Sequence, residues 1–72
     1  MKISYDKEVD APYIRILDET PEAAIIVAEG IHIDLTKDKR IVGIEILDAS
    51  EKLPLETLYK LEFDHDMVEA EW

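Results

Sequence analysis

The sequence predicts an α+β domain, an antiparallel meander of about five short strands followed by a short C-terminal helix packed on the sheet. Three observations carry that expectation. Apolar residues alternate with period two through the first forty-seven residues, polar and Pro-containing clusters separate the runs, and helical spacing begins only after Pro54. A chain of 72 residues has room for one core. The expected division is strands over 1–47, a turn and helix over 48–63, and an acidic tail over 64–72.

The first strand is KISYD, with Ile3 and Tyr5 on one face. KEVDAP, holding Asp10 and Pro12, reads as a turn or an irregular lead-in to YIRIL (13–17), where Ile14 and Ile16 oppose Tyr13, Arg15 and Leu17. DETPE has turn composition, and its Pro21 suits no central ladder position. AAIIVAE is apolar on both faces and is expected to be covered on both sides, with Gly30 after it as a bulge or bend. IHIDL alternates cleanly, Ile31, Ile33 and Leu35 inward and His32 and Asp34 outward, and TKDKR is a polar hairpin loop.

In RIVGIEIL, Val42, Ile44 and Ile46 share one face, while Ile41, Gly43, Glu45 and Leu47 share the other. A glycine inside a strand lets something press against the backbone: a neighbouring aromatic, a helix or another chain. Asp48 and Ser50 suit the strand end and the cap of a following turn. Pro54 suits a first helical position, and LETLYKLEF then sets Leu55, Leu58 and Tyr59 on one stripe. The second sheet face collects Tyr13, Leu17, Ile25, Val27, Ile41 and Leu47, more apolar surface than one short helix covers, so a homo-oligomer is expected.

With 8 basic and 18 acidic residues the net charge is −10, which disfavours direct binding to nucleic-acid phosphates and fits a basic protein partner. The charged start MKISYDKEVD lacks a signal-peptide core, and AAIIVA is too short to span a bilayer, so a cytoplasmic protein away from membranes is expected. Cysteine is absent, so neither a disulfide nor a thiolate metal site can staple the domain.

The composition argues against an enzyme, and no cofactor motif appears. Two glycines thirteen residues apart make no phosphate loop, and Ser4 and Ser50 sit in no glycine-flanked elbow. His32 and Asp34 share a strand face and could join His65 or Asp66 around a metal, although solvated polar residues explain them more simply. Asp6 with Asp10, and Glu45 with Asp48, could work as acid and base if they met in a cleft; turn and strand-end positions are the simpler account. The tail is the feature that reads as functional. Glu62, Asp64, Asp66, Glu69 and Glu71 are followed by Trp72, combining uncompensated charge with an aromatic anchor for a basic surface.

Tyr5 and Asp6, then Asp10, Ala11, Tyr13 and Ile14, then Glu29, Gly30, Ile31 and Asp34, and above all the run Gly43 to Ser50, resemble the YuzE-like family of small uncharacterised prokaryotic domains. The likeness covers roughly residues 1–62. Pro12 stands where many members carry a bulky apolar residue. The resemblance assigns no catalytic or binding residue. It implies an antitoxin-like role, because some members are suspected partners of small basic, ribonuclease-like toxins.

Two readings follow: an acidic interaction domain that neutralises such a partner, or a small ligand- or divalent-metal-binding domain or enzyme using the carboxylates of Asp6, Asp10, Asp34 and Glu45. Composition also bears on stability. The chain has ten isoleucines and no Asn, Gln or Cys, a depletion of thermolabile side chains typical of heat-adapted proteins. A thermal midpoint above about 60 °C by circular dichroism is the expected result, since mesophilic domains cluster at or below that temperature.

Overall fold

Five antiparallel strands form in the order of the alternating runs, in a computed structural model that describes residues 1–60, 62 and 64: β1 (Lys2–Asp6), β2 (Ala11–Arg15), β3 (Ala23–Ala28), β4 (Ile31–Leu35) and β5 (Ile41–Ile46). They make one sheet in the order β1-β2-β5-β4-β3. Chain neighbours pair as hairpins, and a single non-sequential pairing, β2 with β5, joins the two halves. That seam is short, with Tyr13, Ile14 and Arg15 opposite Glu45, Ile44 and Gly43.

The registers align whole rows of side chains across all five strands. Ile3, Ile14, Ile44, Ile33 and Ile25 stand opposite one another in turn, one isoleucine from each strand. Successive residues of a strand point to opposite faces, so the flanking rows lie on the other side of the sheet. One runs Ser4, Tyr13, Glu45, His32, Ile26, and the other Lys2, Arg15, Gly43, Asp34, Ala24. The sheet therefore has an isoleucine face and a polar face. Ile25 stands in the isoleucine row, not on the second face to which simple alternation assigns it, because β3 keeps register with β4 and only later shifts between Ile26 and Ala28.

Gly43 stands where the polar face leaves no room for a side chain. The Tyr13 ring crosses it diagonally, and a Cβ built on Gly43 would lie 2.7 Å from Cε2 and closer still to Cζ and the hydroxyl oxygen. Of the three expected neighbours, the aromatic is the one present. The Tyr13 hydroxyl reaches past β5 and donates to Asp34 Oδ2 on β4 at 2.8 Å. One side chain thus clamps three strands across the seam. The Arg15 guanidinium lies 5.6 Å from the Tyr13 ring centroid, within cation–π range.

Both ends of the seam are tied as well. At one end Asp10, in the left-handed region at φ 52°, accepts the Ala49 N–H on its carbonyl at 2.9 Å. At the other, Arg40 donates from both terminal nitrogens to Glu19, each at 2.9 Å, joining the β4–β5 loop to the β2–β3 connection. Arg40 Nε also donates to Asp38, and the buried Thr36 hydroxyl donates to Asp38 while accepting the Arg40 N–H at 2.9 Å. The most deeply buried residues lie along the seam, Ala11, Pro12 and Ala49 toward the Asp10 end and Val42 toward the other.

The sheet matches the expected antiparallel architecture, and several finer expectations need correcting. No α-helix occurs among the described residues. Two 3-10 turns, Ala49–Glu51 and Leu55–Tyr59, follow β5. The second stays tight because the Thr57 N–H and hydroxyl both donate to the Pro54 carbonyl, at 3.1 and 2.7 Å, and Lys60 repeats the short spacing onto Thr57.

The second strand begins earlier than YIRIL suggests. Pro12 pairs opposite Tyr5, and β5 joins only from Tyr13, so the proline lies beyond the central ladder. The strand ends at Arg15 because the Ile16 and Leu17 N–H groups both converge on the Val42 carbonyl, at 2.7 and 3.1 Å. β3 is an edge strand with every residue exposed, contrary to the two-sided cover expected from its composition. Gly30, at φ 77°, occupies the tight turn between β3 and β4, where a left-handed conformation favours glycine.

The clamp makes a specific prediction. Gly43→Ala should destabilise the protein by about 1–3 kcal/mol, as overpacking does, because the Tyr13 ring must leave its place over β5. In a Tyr13→Ala background the same change should cost much less. Chemical denaturation of the four proteins in this double-mutant cycle measures the coupling.

Candidate functional site

The polar face and the β1–β2 loop beside it bring several chemically able side chains together. Strand alternation presents Tyr13, Glu45, His32 and Asp34 on adjacent strands. His32 Nδ1 lies 3.4 Å from Glu45 Oε1, an ion pair when the imidazole is protonated. Burial first, and the bond to Asp34 second, push the Tyr13 phenol above its ordinary value. The phenol therefore stays a donor, and Asp34 is engaged as its acceptor.

An open groove of about 780 Å³ runs from this face into the β1–β2 loop, bordered by Ser4, Asp6, Glu8, Tyr13 and Glu45. Its one ammonium is Lys7, against the carboxylates of Asp6, Glu8 and Glu45. Such a surface suits a guanidinium or ammonium group offered by another molecule. Asp6 also accepts the Glu8 N–H at 3.0 Å, which orders the turn. On the opposite side a second hollow of about 400 Å³ is lined by Ile3, Tyr5, Leu55, Leu58 and Tyr59, where the second 3-10 turn faces β1.

Of the carboxylates named as a possible acid–base or ligand set, Asp6 and Glu45 border the groove, while Asp10, Asp34 and Asp48 are held elsewhere. The Tyr5 hydroxyl donates to Asp10 Oδ1 at 2.6 Å, and the Ser50 N–H donates to Oδ2 at 3.0 Å, joined there by the Ser50 hydroxyl. Asp34 is bonded to Tyr13, and Glu45 stands by His32. Asp48 lies in the turn after β5, at φ 50°. Among the described residues no three His, Asp or Glu side chains are placed to hold a metal ion. His65 and Asp66 lie outside the described residues.

The Ser50 expectation also changes. Ser50 does not cap its own turn; Asp48 stands at the cap without a side-chain bond, and Ser50 bonds to the neighbouring Asp10 of the β1–β2 loop. A pairing between residues forty positions apart leaves no periodic mark in a sequence.

Of the tail residues expected to bind a partner, Glu62 and Asp64 are exposed. Asp66, Glu69, Glu71 and Trp72 lie outside the described residues. Of the groove carboxylates, Asp6 and Glu45 belong to the set that the sequence offered, and Glu8 does not. Only the β1–β2 register brings the loop beside Tyr13 and so beside β5.

Asp10 links the network to pH. The Ser50 hydroxyl chiefly, and the Tyr5 hydroxyl next, hold its carboxyl below the ordinary 3.8; the same bond to Asp10 holds the Tyr5 phenol above its ordinary value. An acid whose folded value is depressed adds stability that is present above 3.8 and is lost as pH falls through the folded value. Asp10→Asn keeps a residue tolerant of the left-handed backbone and removes that titration. Urea midpoints measured from pH 5 downward should fall less steeply in the variant than in the wild type. Part of the acid limb should remain in both, because Asp38 is held low by Thr36 and then Arg40.

No curated protein and no solved structure matches the chain. No helix among the described residues is long and apolar enough to cross a membrane. A family model described as protein of unknown function (DUF2283) matches residues 2–50, which takes in all five strands and the first 3-10 turn's Ala49 and Ser50. On that match over more than half its length, the chain belongs to the DUF2283 family of small domains of unknown function.

Proposed function

We propose that this chain is an acidic protein-interaction domain that binds a small basic partner, in the manner of an antitoxin neutralising a ribonuclease-like protein. The observation that carries the reading is the open groove where Asp6, Glu8 and Glu45 flank Tyr13 on a chain of net charge −10. Long-range attraction raises the encounter rate, and charge-assisted bonds in the groove hold a guanidinium once it arrives. The sequence adds further carboxylates from Glu62 onward, with Trp72 as an aromatic anchor. The YuzE-like resemblance, with its suspected antitoxins, points the same way. Asp10 and Asp34 are occupied in holding loops and strands together, which weakens the reading based on surface-carboxylate chemistry.

The test uses a small basic protein encoded beside this chain, titrated by calorimetry. Affinity should fall at least tenfold between 50 and 500 mM salt, and again in Glu8→Gln/Glu45→Gln. Co-expression should restore growth that the basic protein alone arrests. Loss of binding on removal of 62–72, with the groove variant unaffected, would move the contact to the tail. Binding indifferent to salt and to both changes would overturn the reading.

A further inference from the structure

The two edges of the sheet are protected unequally. β1 begins with Lys2, ends with Asp6, and has the second 3-10 turn against its face, with Leu55, Leu58 and Tyr59 around Ile3 and Tyr5. β3 is AAIIVA: six residues, no charge, no proline, and all of them exposed. Among the described residues its backbone pairs with β4 alone. Ile25 is 48 % exposed and Ile26 74 %, one on each face of the sheet, with Val27 at 57 %. Natural sheets blunt such an edge with charge, proline or cover, and among the described residues β3 has only the register shift near Val27.

We propose that β3 is the contact between two copies of this chain, paired antiparallel about a two-fold axis so that two five-stranded sheets become one of ten strands. Charge selects the occupant. On a chain of net charge −10 a second copy meets little local repulsion at an uncharged strand such as β3, whereas a basic partner finds no carboxylate within the strand to pair with. An antiparallel pair of identical strands is self-complementary, as a two-fold interface requires. Strand addition fills the open backbone groups, and the isoleucine row runs on from one sheet to the next through Ile25 of each copy. The flanking residues set its salt response. Glu22 and Glu29 bracket β3, so antiparallel pairing brings Glu22 of one copy toward Glu29 of the other at both ends. Like charges there oppose association, and salt screens them.

Sedimentation equilibrium from 5 to 200 μM should give twice the 8.3 kDa chain mass, with the dimer strengthened between 50 and 500 mM salt. That response is opposite in sign to the one expected for a basic partner in the acidic groove, so the two readings fail separately. Ile26→Lys should weaken dimerisation at least tenfold while leaving the circular dichroism spectrum unchanged. Because the chain has no cysteine, Ile25→Cys, at the position that meets its own copy across the two-fold, provides a second measurement that does not depend on tolerating a charge. Mild oxidation should convert most of it to a covalent dimer, and Lys2→Cys on the other edge should not respond. A wild type that stays monomeric at 200 μM overturns the proposal. So does a dimer that survives Ile26→Lys, or one that cross-links through β1.

Discussion

The fold depends on one short seam. β2 and β5 meet over three residue pairs, and without them the chain is a hairpin and a separate three-stranded sheet. Closing that seam fixes the largest loop between paired strands, an entropic cost that three ladder pairs answer poorly. The clamp of Tyr13 over Gly43 onto Asp34 adds packing and a hydrogen bond where the ladder is thinnest, and it works only because Gly43 lacks a side chain. Asp10 with Ser50 and Ala49 ties one end of the seam, and Arg40 with Glu19 ties the other. These four connections bring together segments that are far apart in the chain.

A domain of this size buries a small share of its surface and gains little from its core alone. Here the fully enclosed side chains are few, Val42 and Pro12 being the large ones, and the isoleucine row is half-buried or exposed among the described residues. Polar staples therefore carry more of the architecture than they would in a larger protein. The exposed Arg40–Glu19 pair adds geometric definition through its two parallel bonds more than it adds energy, since ion pairs open to solvent contribute little. The Tyr13 clamp is partly shielded from water, and its removal is felt through both packing and the unpaired partner.

Much of the sheet was legible because period-two alternation and turn chemistry are local. KISYD, AAIIVA, IHIDL and IVGIEI are strands with the expected bounds to within a residue, and the glycine at 43 does receive an aromatic ring. What escaped was long-range. Strand order decides that AAIIVA lies at an edge, a fact its composition misstates, since an apolar strand reads alike whether another strand or open solvent flanks it. The expected helix failed through a local competition, Thr57 bonding back to Pro54, that spacing of leucines does not reveal. For the candidate site, Glu45 was legible with Asp6, and His32 with Asp34, but the pairing of His32 with Glu45 was not. The groove was not, because it exists only once the β1–β2 loop is folded beside Tyr13.

Several of the residues that carry the family resemblance serve the seam. Tyr5, Asp10 and Ser50 form one network, and Tyr13, Asp34 and Gly43 form the other. A signature built this way reports how the sheet is closed, and a carboxylate engaged by a tyrosine hydroxyl across a strand is a poor candidate for reacting with anything else. A shared pattern of this kind is then compatible with many partners, because it specifies a platform and leaves the contacts to surfaces outside it. In this chain those surfaces are of opposite character: an acidic groove on the polar face, suited to attract what is unlike the protein, and an uncharged edge at β3, suited to meet its own kind. Their separation on the sheet lets both be occupied together, so pairing at the edge would place two grooves on one molecule and raise the effective concentration of the second contact once the first is made.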